Sequence, residues 1–238
     1  MNTNARILEP RSRERFVTSN RRLGVRLLRH HVPLGLLATG VALALYFTRP
    51  YPDVISRASF ATAYPALGLL AATLLIGPWN LLRKQRNPVS MDLRRDVGIW
   101  AGIYGVVHTA IGQCVHLRGR PWLYYVYGPW EHHHTIPIRH DLFGLSNYTG
   151  VAAVLLLVAL LATSNDYSLR ALGTPRWKKL QRWNYAVFAL TAIHAVGYLT
   201  IEKQKKDFVI TVVVLLAISL VFQAVGFMFR RRRAAEAG

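Results

Sequence analysis

The stretch VGIWAGIYGVVHTAIGQCVHL, Val97–Leu117, contains no Asp, Glu, Lys or Arg and carries two histidines, His108 and His116. An α-helix rises about 1.5 Å per residue, so a run of this length crosses the roughly 30 Å hydrocarbon core of a bilayer. The stretch therefore predicts a membrane-spanning helix that holds imidazole side chains.

Five further windows of the chain also lack charged residues and have lengths that suit a membrane span. They are His30–Thr48, Ala58–Leu82, Leu142–Asn165, Trp183–Ile201 and Phe208–Phe229. A soluble helical bundle can contain one such buried helix, but six in succession are typical of a membrane protein. The sequence predicts an all-α integral membrane protein with a six-transmembrane-helix bundle.

The strong positive charge falls in clumps between these windows. The chain has 30 Lys and Arg against 11 Asp and Glu, a formal charge of +19. With the N-terminus inside, alternate segments hold 22 of these cations on the cytoplasmic side and 8 outside. Cations stay on the cytoplasmic side of membrane proteins. The charge therefore predicts an N-in/C-in topology and requires no nucleic acid partner.

The same pattern divides the chain into three parts. We expect a basic cytoplasmic arm over residues 1–31, a six-helix transmembrane domain over 32–229 and a basic cytoplasmic tail over 230–238. The chain has no glycine-rich phosphate loop or nucleotide-binding fingerprint. A flavin or nicotinamide domain would therefore have to belong to a separate protein.

Two histidines lie at similar depth on different predicted helices. Counted from the inner ends of their windows, His108 is roughly 16 Å deep and His194 roughly 17 to 20 Å deep. Ionisable groups within a membrane face the bundle interior and have partners. A zinc site needs three or four ligands and a proton relay usually includes a carboxylate, whereas a haem needs two axial imidazoles. Packing histidines remain the alternative interpretation.

Small residues accompany His108 along its predicted helix. Gly105 and Gly112 flank it by three and four residues, and Gly98 and Gly102 continue the stripe. Such a stripe makes room for a flat macrocycle, but it equally permits close packing of two helices.

Several motifs together resemble a known family. They are ATLLIGPWNLL at 72–82, RRDVGIWAGIYGVVH at 94–108, LG at 172–173 and RWKKLQRWNYAVFALTAIH at 176–194. Over about Ala58–Phe229 the chain resembles the ferric-reductase-like transmembrane domain family, and within it the haem-binding membrane subunits of bacterial periplasmic methionine-sulfoxide reductase systems.

The resemblance implies a bundle in the bacterial inner membrane that binds haem b and passes electrons across the bilayer, with His108 and His194 at ligand positions. It implies a quinol or a separate flavoprotein as donor, and ferric iron or a periplasmic reductase as acceptor. The related subunits carry a further histidine where this chain has Gln181. Glutamine is a poor iron ligand, so we expect one haem, with two as the alternative.

His116 has two interpretations. If the helix continued through Leu117, His116 would lie roughly 28 Å deep and about 80° around the helix from His108. It then either caps the outer end of a cofactor site or replaces a haem ligand. An interfacial histidine in contact with water is the simpler interpretation.

The loop RGRPWLYYVYGPWEHHHTIPIRHD, Arg118–Asp141, is the most unusual outer segment. Its tryptophans and tyrosines fit an aromatic belt at the membrane surface. Arginine forms bidentate contacts with carboxylates, so three arginines are candidate partners of haem propionates, with lipid headgroups as the alternative: Arg118, Arg120 and Arg139. Five other residues carry metal-binding side chains, although short histidine tracts are weak signals: Glu131, His132, His133, His134 and His140.

Two classes of function follow from the sequence. The first is the haem-binding electron-transfer subunit, and the second is a metal-ion or small-solute permease that captures its cargo at the outer histidines. A permease should show interrupted spans or a repeat between its halves. Pro65 and the Gly77–Pro78 pair are expected to break the second span, but no matching break occurs in the other half.

Overall fold

A computed structural model describes residues 24–48, 51, 53–83, 88–131, 135–202 and 206–235. Within these residues the chain is helical, apart from turns and one isolated bridge between Val126 and Ile138. The seven α-helices of the described residues are α1 (Val32–Thr48), α2 (Val54–Leu82), α3 (Pro88–Gly112), α4 (Leu142–Ala162), α5 (Asp166–Gln181), α6 (Asn184–Ile201) and α7 (Lys206–Ala235).

Within the part of the chain that the structure describes, five helical stretches are long and apolar enough to cross a membrane. They are Gly24–Thr48, Val54–Leu82, Leu142–Ala162, Asp166–Ile201 and Val209–Phe229. The all-α integral membrane class is thereby confirmed, while the five stretches are one fewer than the six predicted spans. The window at Val97–Leu117 falls short because α3 begins with polar residues and ends at Gly112.

Helices at both ends of the chain cross the predicted domain boundaries. The first helical stretch starts at Gly24 and contains a π-helical turn at Leu27–His31, so residues 24–31 extend the first span. At the other end α7 continues to Ala235. The first 23 residues of the expected cytoplasmic arm lie outside the described residues.

The core lies where α2 packs along α3 and where α4 packs along α6. Its fully buried side chains include Ala71 and Leu74 of α2, Ala101 of α3 and Val187 of α6. Polar side chains join helices across this core: the Asn184 amide donates to the Thr73 hydroxyl at 2.7 Å. Buried polar groups need such partners in a bilayer, so these bonds fix how the helices pack.

The expected break in the second span does not occur. Helix α2 runs unbroken from Val54 to Leu82 with Pro65 and Pro78 inside it, and both prolines are buried. Neighbouring helices can compensate for the backbone bonds that proline removes from a membrane helix. The interrupted span that a permease should show is therefore not found at α2.

The glycine stripe of α3 packs closely against α4. A Cβ atom at Gly102 would lie 3.2 Å from Leu161, and one at Gly105 would lie 2.5 Å from Leu157. Helix-to-helix packing therefore explains Gly102 and Gly105 directly. Gly105 and Gly112 also line the central cavity described below.

Candidate cofactor site

His108 of α3 and His194 of α6 face each other inside the bundle. Their ring centroids are 6.2 Å apart and their planes are inclined at 75°. The sequence predicted that the two residues lie at similar depth, and the structure brings them together.

Each of the two imidazoles is oriented by a backbone carbonyl. Nδ1 of His108 lies 3.0 Å from the Ser59 carbonyl oxygen of α2, and Nδ1 of His194 lies 2.8 Å from the Ser146 carbonyl oxygen of α4. A carbonyl only accepts hydrogen bonds, so the proton of each ring resides on Nδ1. The lone pair of each Nε2 is then available to a metal, which is the arrangement typical of metal-ligating histidines.

The spacing of the rings fits one iron atom between them. Bonds from a metal ion to an imidazole nitrogen are about 2.0 to 2.1 Å long, and two such bonds fit between ring centroids that are 6.2 Å apart. The described residues also contain no group of three or more His, Cys, Asp or Glu side chains that could hold a metal ion. The donor set therefore fits axial ligation of a haem better than a protein-only metal site.

The two rings open into a cavity of about 240 Å³ between the helices. Its walls are mostly apolar, with aromatic side chains from the first half of α2 and small residues from α3 and α4. The lining includes Phe60, Tyr64, Ala101, Gly105, Gly112, Gly150, Val151 and Leu157. Apolar walls with a few polar groups are typical of cofactor sites.

Gly150 of α4 lets the His194 ring lie against the helix backbone. A Cβ atom at this position would lie 2.6 Å from Nδ1 of His194 and 3.0 Å from its Cε1. Any larger residue would push the ring out of its place. Sequence analysis missed Gly150, because only the packing of α6 on α4 gives this glycine its role.

His116 lies at one end of the same cavity, beyond the C-terminal end of α3. The helix stops at Gly112, and His116 has an extended backbone before a short 3-10 turn. The depth and angle calculated for a continuous helix are therefore wrong. Nε2 of His116 lies 3.1 Å from Oε1 of Glu202, and the ring stacks on Tyr198 at 6.2 Å.

Tyr198 lies between His116 and His194. Its ring centroid is 4.9 Å from that of His194, and its hydroxyl donates to Oδ1 of Asn147 at 3.0 Å. The hydrogen bond from His116 lowers the pKa of Glu202. Glu202 and Tyr198 are functional candidates that sequence analysis missed, since Glu202 follows the last apolar residue of its window.

The outer arginines bind groups of the protein itself. Arg139 donates to the Leu123 carbonyl at 2.7 Å, to Asp141 at 2.8 Å and to Glu131 at 2.9 Å. Arg120 lies over the Trp130 ring at 5.3 Å, and neither arginine lines the cavity. Only the backbone of Arg118 is described. The contacts of Arg139 therefore fix the fold of the outer loop.

The expected outer metal site is only partly described. His132, His133 and His134 lie outside the described residues. The Glu131 carboxylate pairs with Arg139, and Nδ1 of His140 lies 3.2 Å from the Ile138 carbonyl. Among the described residues these side chains form no metal-binding cluster.

The N-terminal part of α3 contains a carboxylate that sequence analysis also missed. Asp96 of α3 is fully buried and forms an ion pair with Arg26. Its other contacts are with His30 at 2.7 Å and with His31 at 3.2 Å. His30 and His31 belong to the π-helical turn and Arg26 directly precedes it, so these three residues of the first helical stretch contact one carboxylate. Asp96 immediately precedes an apolar window, so its burial was not apparent.

The position expected to hold a second ligand is that of Gln181. This residue ends α5, and its Nε2 lies 3.5 Å from the Thr163 hydroxyl. The Trp177 indole nitrogen donates to the Thr163 carbonyl at 2.9 Å, so these side chains hold α5 to the end of α4.

Comparison with known proteins identifies relatives of this chain. No family model matches the chain. A protein of Yersinia pseudotuberculosis serotype O:1b (strain IP 31758), named protein-methionine-sulfoxide reductase heme-binding subunit MsrQ, is 31% identical over 164 residues, which cover 68% of this chain and 71% of the relative. The chain belongs to the MsrQ family. The MsrQ of Yersinia pestis (strain Pestoides F) matches at the same identity over 70% of its length.

Membership of the MsrQ family confirms the resemblance to haem-binding subunits that the sequence motifs predicted. The names of the two relatives say that they bind haem. In this structure the facing imidazoles of His108 and His194 are the residues that fit a haem.

Proposed function

We propose that this chain is a haem b-binding membrane subunit that transfers electrons across the membrane to an acceptor on its outer side. The observation that carries the proposal is the facing pair of His108 and His194 in an apolar cavity, at the spacing of two axial ligands. The names of the MsrQ relatives support haem as the cofactor.

The roles of the residues follow from their contacts. His108 and His194 would hold the haem iron through Nε2, and the carbonyls of Ser59 and Ser146 keep both Nδ1 protons in place. The bound haem would supply a one-electron Fe(III)/Fe(II) couple. The apolar walls would exclude water, and burial together with axial ligands sets the potential of such a couple.

One haem is expected for each chain. Gln181 replaces the histidine that the resemblance places at the inner end, and its amide is used to hold α5 to α4. An amide is a poor ligand for haem iron. His116 is paired with Glu202 and is proposed to close the outer end of the cavity without ligating iron.

The membrane topology is proposed to be six spans with both termini inside. Helix α3 packs along α2 and carries His108 in the bundle interior, so it would cross with the other five despite its polar first turns. Six crossings would put both terminal clusters of cations on one side, and the distribution of 22 against 8 supports this arrangement. In a bacterium this side is the cytoplasmic face of the inner membrane.

The electron donor is proposed to be a membrane quinol or a separate flavoprotein. The basic segments at 83–95 and 170–182 suit an acidic flavoprotein through complementary charge. The acceptor is proposed to be a periplasmic partner reductase, in keeping with the methionine-sulfoxide reductase named for the relatives, or ferric iron.

Anaerobic reduction in proteoliposomes tests the subunit proposal. Purified protein is reconstituted, and the visible spectrum is followed after addition of NADPH alone and then of a flavin reductase or a reduced quinone. We expect no haem reduction with NADPH alone and full reduction once the second component is present. Direct reduction by NADPH would contradict the proposal.

A further inference from the structure

The contact between His116 and Glu202 differs from the ion pairs of Arg139, because it lines the central cavity. Arg139 and its two carboxylates hold the outer loop and do not reach the cavity. His116, Glu202 and Tyr198 line the cavity together with His108 and His194.

Both members of the pair retain access to water. The side chains of His116 and Glu202 are 32% and 29% exposed, so protons can reach them from the outer side. Tyr198 separates His116 from His194, with its ring stacked on one and 4.9 Å from the other. The pair therefore lies one aromatic ring from the proposed iron ligand and in contact with the outer solution.

His116 has one ring nitrogen that can accept a proton. Its Nε2 faces Oε1 of Glu202, and no hydrogen bond of its Nδ1 occurs among the contacts of the described residues. A neutral ring that donates from Nε2 to the carboxylate can therefore take a proton on Nδ1. The adjacent Glu202 carboxylate would stabilise the resulting imidazolium.

The other groups near the pair stay neutral around pH 7. Burial raises the pKa of Tyr124 and Tyr125 above the ordinary value, which is already about 10. Tyr198 is hydrogen-bonded to Asn147. Phe143 supplies an apolar wall beside His116. Lys203, Lys205 and the Arg118 side chain lie outside the described residues.

Resting on the proposed haem function, we infer that His116 and Glu202 form the proton-exchanging group that is coupled to reduction of the haem. A bound haem would supply a one-electron couple, and its reduction by the donor would remove one positive charge from the cavity. One proton from the outer solution then binds Nδ1 of His116 and restores that charge. Oxidation of the haem would pass the electron to the acceptor and release the proton from His116 to the outer solution.

Spectroelectrochemical titration of the purified haem-loaded protein tests this inference, with sodium dithionite and ferricyanide as reductant and oxidant. The ratio of reduced to oxidised haem is measured at a fixed applied potential between about pH 5.5 and pH 7.5, where histidine titrates. Because reduction takes up a proton, the ratio should fall as the pH rises, by up to about tenfold per pH unit.

Two variants and one control test whether His116 is the group that binds the proton. In His116→Phe, which keeps an aromatic ring against Tyr198, the ratio should change less than about twofold per pH unit. In Glu202→Gln the pH-dependent region should move to lower pH, because the carboxylate that stabilises the imidazolium is lost. Asp207→Asn removes an exposed outer carboxylate in the first turn of α7 and should behave as the wild type.

Three results would overturn the inference. They are a wild-type ratio that does not depend on pH, a His116→Phe variant with the wild-type dependence, and loss of the low-spin spectrum in His116→Phe, which would make His116 an iron ligand. A wild-type protein that binds no haem would instead refute the proposed function itself.

Discussion

At the scale of single residues, the angle between the two facing imidazoles has a spectroscopic consequence. The planes of His108 and His194 are inclined at 75°, close to perpendicular. Nearly perpendicular axial imidazoles give oxidised low-spin haem a highly anisotropic electron paramagnetic resonance signal. We expect this signal from the oxidised protein at low temperature, whereas the rhombic signal of parallel imidazoles would contradict the geometry.

Gly150 provides a second test of the site. Gly150→Ala places a methyl group 2.6 Å from Nδ1 of His194, so the ring must move away from the Ser146 carbonyl. We expect the purified variant to retain less than about a tenth of the wild-type haem, because a displaced ligand weakens metal binding by 10- to 100-fold. Gly68→Ala in α2 is the matched control, since nothing lies within 4 Å of a Cβ there. Equal haem loss in both variants would argue against a specific role for Gly150.

The residues of the site were predictable only in part. The depth of His108 and His194 followed from the helical rise, since both lie within regular helices. The carbonyls of Ser59 and Ser146 and the close approach at Gly150 depend on how α2, α4 and α6 pack, which no local pattern in the sequence encodes. His116 was misplaced because the chain leaves the helix at Gly112 without a charge or proline to mark the end.

At the scale of helices, the buried Asp96 links α3 to the first helical stretch. Its side chain is fully buried, while that of Arg26 remains 18% exposed. Removing one partner of a buried ion pair leaves the other without compensation. We expect Asp96→Asn to lower the free energy of unfolding by about 3 kcal/mol, at the low end for broken buried pairs because Arg26 keeps some contact with water.

Denaturant unfolding in detergent micelles measures this loss, and the pair of Arg95 and Asp166 supplies the control. Asp166 is 56% exposed, so Asp166→Asn should cost about 1 kcal/mol or less. Equal losses in the two variants would show that the burial of Asp96 contributes nothing.

Two of the helices followed closely from the apolar windows, whereas α5 lies between two windows and was not predicted. The windows at Leu142–Asn165 and Trp183–Ile201 match α4 and α6 to within three residues. Pro65 and Pro78 were wrongly expected to interrupt α2, since flanking helices compensate for proline in a way that composition alone does not reveal. The extension of the first helical stretch back to Gly24 was missed because its contacts with Asp96 come from a distant part of the chain.

At the scale of the whole molecule, the single cysteine tests the orientation. Cys114 is exposed and follows the end of α3, which the proposed topology places at the outer surface. A membrane-impermeant maleimide should therefore label the protein in intact spheroplasts, and Cys114→Ser should abolish the labelling. Labelling that occurs only after lysis would reverse the proposed orientation.

The most direct test of the account is the haem content of the purified protein, measured as the pyridine haemochrome per chain. We predict about one haem b in the wild type, because two imidazoles supply one pair of axial ligands. His108→Ala and His194→Ala should each lose it, while His140→Ala, in the outer loop, should retain it. Normal haem in both His108→Ala and His194→Ala, or about two haems in the wild type, would contradict the account.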